Sequence, residues 1–216
     1  LKSVWPGDVF LLSEQTGDMA ITPTRVGGDW WDGGVHMVLK LHTWHARNGL
    51  INGSWNACMS GITTSNQIYA TIENTEMEAE LKERTLAEIR GIRAFWYYIL
   101  IDYFGNAPLV ADYTSTELPG MSTRQQLYDF VVSELNEIKD VLRADVTSES
   151  YGKFTQGVAY TLLAKMYLNA EVWTGTPNWQ GVIDATDKVM SLDYIIEPNW
   201  KTNFEVNNEV SREIIF

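Results

Sequence analysis

The fold of this chain is decided by the stretch EIRGIRAFWYYILIDYFGNAP, residues 88–108. Its large apolar side chains recur at the spacing that places them on one face of a helix. Gly105 and Pro108 then mark a helix end, because glycine accepts the left-handed conformation that closes a helix and proline cannot continue one. The apolar pattern begins upstream of this stretch and predicts one long helix over residues 76–104.

The same apolar spacing appears in four further blocks of the chain. These blocks are residues 54–74, 122–142, 155–170 and 178–190. Ser54 is placed to cap the first block, and Ser122 with Gln125 has the pattern of a capping box at the second. No stretch alternates apolar and polar residues as a half-buried strand does, so we predict an all-α fold, an antiparallel helical array. The last two blocks resemble a TPR-like helix pair, although they repeat only loosely.

The first part of the chain, residues 1–53, is interrupted repeatedly by glycine and proline. Such interruptions are typical of loops with short helical pieces. We therefore predict a loop-rich segment over residues 1–53 that packs on a TPR-like helical region over residues 54–216, with one domain overall.

The charge balance excludes some classes of partner. The formal net charge is -12, from 16 Lys and Arg against 28 Asp and Glu. A field of this sign repels phosphate backbones and anionic lipid headgroups, so no nucleic acid is expected to bind. Neutral ligands remain possible.

The two ends of the sequence and its apolar runs bear on location. The most apolar run, residues 95–101, is far shorter than the roughly 18–20 residues that span a bilayer. The start lacks the basic and apolar leader of a signal peptide. The last three residues, 214–216, are apolar, whereas chain termini are more often polar. We expect this chain to be a fragment of a longer protein.

Motifs for catalysis and metal binding are absent from the sequence. It has no GxSxG, GxGxxG or phosphate-loop motif, and we expect no cofactor. Asp29 and Asp32 are the only carboxylates in an aromatic setting, and their short spacing is typical of turns rather than of a glycosidase pair. His36, His42 and His45 lie close together without a further ligand motif, so we predict no metal site. The chain is therefore not expected to be an enzyme.

The segment from Thr22 to Gly34 combines turn-forming glycines with charged side chains and two adjacent indoles. Sugar rings have an apolar face that stacks on an indole and a rim of hydroxyls that bonds to charged groups. The predicted glycan site consists of Arg25, Asp29, Trp30, Trp31 and Asp32. The alternative is that both indoles only pack the loops onto the helices. Because neighbouring side chains of an extended chain point to opposite sides, we expect one indole at most to face a ligand while the other packs.

Residues 88–110 closely resemble the signature helix of the SusD/RagB family, an Arg-x-x-Arg-Ala followed by aromatics and a Phe-Gly-x-x-Pro helix end. Further stretches resemble the family in the same order. These are residues 127–135, 157–168, 179–190 and 213–216. The resemblance therefore covers nearly the whole chain.

This resemblance implies the N-terminal portion of an outer-membrane glycan-binding lipoprotein of the Bacteroidetes cell surface. Family members are built on TPR-like helix pairs and carry a lipid on an N-terminal cysteine, which this sequence lacks. They bind an oligosaccharide or polysaccharide and deliver it to a TonB-dependent, SusC-like transporter. Membrane contact would then run only through that lipid. The resemblance also implies that Arg90 and Arg93 are scaffold residues rather than ligand residues.

Two alternatives stay open at this point. A loop like residues 23–30 is common in the family, so the predicted glycan loop also fits a purely structural role. The alternative function is a helical, TPR-like protein-interaction module with no glycan ligand of its own, because TPR arrays commonly bind peptides.

Overall fold

The computed structural model describes residues 8–112, 114 and 117–216. Helices dominate this part of the chain. They are α1 (Phe10–Thr16), α2 (Val35–Lys40), α3 (Gly49–Glu73), α4 (Ala79–Tyr103), α5 (Arg124–Ile138), α6 (Gln156–Leu168), α7 (Ala170–Thr174) and α8 (Trp179–Met190). This confirms the predicted all-α fold, an antiparallel helical array with TPR-like helix pairs. None of the helices in the described ranges is both long and apolar enough to cross a bilayer.

The end of α4 agrees with the sequence pattern. Gly105 has a φ of 77°, and its N–H donates to the carbonyl of Leu100 at 3.0 Å. The chain then enters strand β1 (Ala107–Pro108), which pairs antiparallel with β2 (Met121–Ser122). This two-residue ladder closes the connection from α4 to α5.

Helix α3 begins before Ser54, so the prediction that Ser54 caps it is wrong. Asn48 caps the helix instead, because its side-chain oxygen accepts a hydrogen bond from the N–H of Leu50 at 3.0 Å. Gly53 suggested a break in the sequence, but it lies inside the helix. A Cβ atom there would overlap the carboxylate of Asp8, so the glycine makes room for a close contact.

The capping box of α5 lies one residue after the predicted position. Thr123 and Gln126 form it in place of Ser122 and Gln125. The hydroxyl of Thr123 accepts from the N–H of Gln126 at 3.2 Å, and the Gln126 side chain accepts from the N–H of Thr123 at 2.8 Å. Ser122 is held in β2 opposite Ala107 and cannot serve as the cap.

The chain divides into two compact units, one that ends at Ser60 and one that runs from Gly61 to Phe216. In the second unit α4 packs on α5, α5 on α6, and α6 on α8. Its core contains apolar side chains from the stripes predicted for α4, α5 and α6. These are Trp96, Ile99, Leu100, Leu127, Val131, Leu135, Ile138, Val158, Leu162, Leu163 and Met166. Helix α8 differs, because Trp179, Ile183 and Met190 of its predicted stripe are exposed.

Two arginines of α4 bind one carboxylate of α5. Arg93 is buried and donates to Glu134 at 2.6 Å, while Arg90 donates to the same carboxylate at 2.7 Å. Arg93 also donates to the side chain of Asn66 at 2.9 Å and to the carbonyl of Ala111 at 3.3 Å. These contacts tie α3, α4, α5 and the loop after β1 together, as expected of scaffold residues.

In the first unit, α1 packs against α2. Val9 and Leu39 are fully buried there. The amine of Lys40 donates to the carbonyl of Gly17 at 2.8 Å, so the end of α2 is fastened to the end of α1. The connection between these two helices carries the predicted glycan residues.

Candidate functional site

The predicted glycan residues lie on a series of tight turns over residues 25–34. The N–H of Arg25 donates to the carbonyl of Asp29 at 2.9 Å, and the N–H of Gly28 donates back to the carbonyl of Arg25 at 3.0 Å. Six residues have a positive φ. They are Gly27, Gly28, Trp30, Asp32, Gly33 and Gly34. Glycine adopts such angles readily, whereas Trp30 and Asp32 persist in them only because the surrounding turns hold them.

Both indoles of this turn segment are half exposed, Trp30 by 47% and Trp31 by 49%. We expected one indole at most to face a ligand while the other packs. The packing part of that expectation is wrong, because it assumed extended chain and the segment is folded into turns. Trp31 lies beside the Cα of Gly34, which has no side chain to obstruct it. The turn segment therefore presents two flat apolar surfaces next to each other in sequence.

Charged groups accompany the indoles. The guanidinium carbon of Arg25 lies 5.9 Å from the ring centre of Trp30, within the range of a cation–π contact. Asp29 is exposed, and no residue that the structure describes donates a hydrogen bond to its carboxylate. Indole, guanidinium and carboxylate groups thus share one short segment.

Asp32 is held differently, by a chain of hydrogen bonds that leads from the surface into the protein. Its carboxylate lies 3.2 Å from Nε2 of His36, and Nδ1 of His36 lies 2.8 Å from the side-chain oxygen of Gln15. The amide nitrogen of Gln15 donates to the hydroxyl of Thr22 at 2.8 Å. We call these four residues the His36 relay. Gln15 and His36 are buried, so the relay links the exposed turn to the core of the first unit.

The supporting roles of Gln15 and His36 were not predicted from the sequence. The i,i+4 spacing of Asp32 and His36 is a signal for such a pair on a helical turn. Gln15 could not be found this way, because its contact with His36 spans 21 residues of sequence and depends on how α1 packs on α2.

The three histidines do not converge on one point in this unit. His36 is bonded to Asp32 and Gln15, while Nε2 of His42 lies 2.9 Å from the carbonyl of Thr16. Among the residues that the structure describes, no group of three or more His, Cys, Asp or Glu side chains is arranged to hold a metal ion.

Two carboxyl groups with raised pKa values lie on α4. Burial raises the pKa of Glu88, and the nearby charges of Lys153 and Arg84 lower it only in part. Burial likewise raises the pKa of Asp102, against a smaller lowering by Arg124.

Most of this chain matches a known protein family. A model of SusD-like proteins, described as "Starch-binding associating with outer membrane", matches residues 13–168. The starch-binding protein SusD of Bacteroides thetaiotaomicron is 31% identical over 126 residues, which are 58% of this chain and 22% of that protein.

Solved structures agree on the fold. Surface glycan-binding protein A from Bacteroides uniformis superposes with a TM-score of 0.82 at 21% identity, over 96% of this chain and 46% of that one. Surface glycan-binding protein A from Bacteroides thetaiotaomicron, in complex with laminarihexaose, gives a TM-score of 0.78 at 21% identity, over 98% of this chain and 43% of that one. The chain thus spans less than half the length of each of these relatives. Because the family model matches most of its residues, the chain belongs to the SusD/RagB family.

Proposed function

We propose that this chain is part of a cell-surface protein that binds glycans and delivers them to a TonB-dependent, SusC-like transporter of the outer membrane. A lipid on the longer protein would hold it at that membrane. Family membership supports this proposal, as does the glycan-bound structure of a relative with the same fold. Surface capture followed by handover to a transporter requires recognition of sugar and no chemistry on it.

The observation that carries the glycan proposal is the arrangement of residues 25–32. Trp30 and Trp31 expose flat apolar surface, and Arg25 and Asp29 stand beside them with capacity for hydrogen bonds. A sugar ring that stacks on an indole gains apolar contact. Its hydroxyls lose bound water at the same time, and this costs free energy unless polar groups of the protein replace the lost hydrogen bonds. We therefore propose Arg25, Asp29, Trp30, Trp31 and Asp32 as glycan-contacting residues.

The test is to replace each indole of the turn and compare binding with stability. Trp30→Ala and Trp31→Ala should each weaken glycan binding about ten- to hundredfold, since loss of ring stacking costs on the order of 1–3 kcal/mol. Melting temperatures should change little, because both side chains are half exposed. Calorimetric titration with a glycan panel that includes laminarihexaose, beside thermal melting, measures both effects.

Trp44→Ala is the matched control for this experiment. Trp44 lies in the same unit, is 44% exposed and sits outside the turn, with its ring 5.2 Å from that of His42. It should bind glycan as the parent does. The proposal fails if Trp30→Ala and Trp31→Ala both bind like the parent, or if both lose binding only because they unfold.

We further propose that the chain does not cleave the glycans it binds. A glycosidase holds two carboxyl groups about 5–9.5 Å apart, one of them with a raised pKa. Glu88 and Asp102 have raised pKa values, but their positions on one helix place them about 21 Å apart along its axis. Purified protein should release no reducing sugar. Sustained release that disappears in Asp29→Ala or Asp32→Ala would contradict a purely binding function.

One observation favours the alternative of a protein-interaction module. The side chains of Trp179, Ile183 and Met190 on α8 are exposed, as are Trp200 and Phe204 after it. Exposed apolar side chains in such number are typical of surfaces that contact another protein. Retardation in gels that contain polysaccharide separates the two functions, because a module without a glycan ligand would migrate unretarded in every polysaccharide.

A further inference from the structure

The His36 relay is built so that its central ring has a partner on both sides. His36 is 6% exposed, and both of its ring nitrogens are engaged. The partner on the solvent side is the carboxylate of Asp32, whose side chain is 62% exposed. The partner on the buried side is the amide of Gln15, which is 3% exposed.

The partners of His36 keep the relay complete for either orientation of the Gln15 amide. With the Gln15 oxygen toward the ring, that oxygen faces Nδ1 and the carboxylate of Asp32 faces Nε2. If the amide is reversed, its NH₂ donates to Nδ1 and its oxygen accepts the proton of the Thr22 hydroxyl. Nε2–H donates to Asp32 in both cases. The carboxylate of Asp32 is the charged group that bonds to the His36 ring. The ring centre of Trp30 lies 6.0 Å from the centre of the same imidazole ring.

The relay acts on a strained point of the turn segment. Asp32 has a φ of 43° and follows directly on the two indoles, one of which, Trp30, has a φ of 63°. A non-glycine residue in this region is unfavourable by itself and needs contacts that hold it. Among the residues that the structure describes, His36 is the one that bonds to the side chain of Asp32.

We propose that His36 is a positioning residue for the glycan site: through Asp32 it holds the turn that presents Trp30 and Trp31. Gln15 completes its hydrogen bonds from the buried side. This rests on the proposed function of the turn. A turn held in one conformation loses less entropy when a ligand binds, and so binds more tightly. His36 and Gln15 would thus support affinity without contacting the glycan.

Two substitutions of His36 separate positioning from ordinary packing. His36→Gln extends an amide nitrogen toward the place of Nε2 and can still donate to Asp32. His36→Asn is shorter, keeps an amide beside Gln15 and cannot reach Asp32. Both replace the ring by an uncharged amide, so both should lower the melting temperature by a similar amount.

The deciding readout is the pair of indole N–H signals of Trp30 and Trp31 in heteronuclear NMR spectra, recorded without glycan and assigned with Trp→Phe variants. In the parent and in His36→Gln each signal should be single and sharp. In His36→Asn both should broaden or split, because the turn samples several conformations. With laminarihexaose as the probe, His36→Asn should bind about tenfold more weakly than His36→Gln, in line with the loss of one hydrogen bond.

Indole signals in His36→Asn that match those of the parent would overturn the proposal. Should that variant fail to fold, Asp32→Asn and Asp32→Ala repeat the comparison from the exposed end of the relay. Asparagine keeps an oxygen that accepts from His36 and tolerates positive φ, whereas alanine does neither. Parent-like signals in Asp32→Ala would then overturn it. A parent that binds no glycan in the panel overturns the proposed function instead, and the indole signals still decide whether His36 holds the turn.

Discussion

At the scale of single residues, the second unit depends on glycines that make room for aromatic rings. A Cβ atom at Gly61 of α3 would overlap the indole of Trp96, and one at Gly91 of α4 would overlap the ring of Phe154. Trp96 and Phe154 are buried. These glycines lie inside long helices, where alanine would otherwise be favoured by about 1 kcal/mol. Close packing has therefore been preferred to helix propensity at both positions.

The contact of Gly61 with Trp96 predicts a change of sign in a double-mutant cycle. Trp96→Ala should lower the free energy of unfolding by about 3–5 kcal/mol, because it truncates a buried indole. Gly61→Ala should also destabilise the parent, since its methyl group displaces that indole. In the Trp96→Ala background the same change should stabilise, because space is now free and alanine favours the helix. Urea unfolding of the four proteins measures this, and additive effects would show that the two residues do not touch.

The burial of single residues was predicted better than the contacts that they make. Helical spacing placed Trp96 on the buried face of α4, and it is buried. The same spacing says nothing about which residue it contacts, so Gly61 was not identified as its partner. The buried Arg93 was identified as scaffold only through the family resemblance, because an arginine is normally solvent-exposed and its bond to Glu134 spans 41 residues.

At the scale of elements, helix ends are fixed by side-chain caps. Glu78 caps α4, and its carboxylate accepts from the N–H of Leu81 at 2.8 Å and from that of Glu80 at 3.1 Å. These bonds to Leu81 and Glu80 lower the pKa of Glu78 from its ordinary value of 4.5. The ionised form of Glu78 is thus the one that the folded helix favours.

This lowered pKa predicts how the cap depends on pH. The stabilisation is fully present above the ordinary pKa of a glutamate and is lost as pH falls through the lowered pKa of the folded state. Glu78→Ala should therefore melt below the parent at neutral pH, and the difference should shrink as the solution becomes acidic. Melting followed by circular dichroism across this pH range measures it. Glu83→Ala, an exposed acid on the same helix without a capping role, is the control. A difference that is constant with pH would contradict the capping role.

The sequence located the helices better than their ends. Thr155 and Asn178, at which two predicted blocks began, are the caps of α6 and α8. The predicted caps Ser54 and Ser122 were wrong, because a local pattern cannot show competing contacts. Asn48 caps α3 earlier in the chain, and Ser122 is held in β2.

The turn segment was predicted from its composition, but its backbone conformation was not. Positive φ values at Trp30 and Asp32 are held by backbone and relay contacts that no local rule specifies.

At the scale of the whole molecule, one helix belongs to both compact units. The units divide between Ser60 and Gly61, which lie within α3 (Gly49–Glu73). The first unit contains the turn segment and the His36 relay, and the second contains the arginine–glutamate cluster and the core of α4, α5 and α6. That the chain forms one domain overall stays a prediction, and it concerns how the units unfold.

We expect both units to unfold in one cooperative transition. If either unit unfolded alone, it would leave one half of α3 without its packing, and isolated helices of about 12–15 residues or fewer are marginal in water. Amide hydrogen exchange in increasing urea, followed by mass spectrometry, can be measured separately for peptides from α2 and from α6. Their protection should be lost at the same urea concentration, because a single global unfolding then governs exchange in both. If peptides of α2 lost protection at a clearly lower concentration while those of α6 kept theirs, the turn segment would belong to an independently unfolding unit, and the prediction of one domain would be wrong.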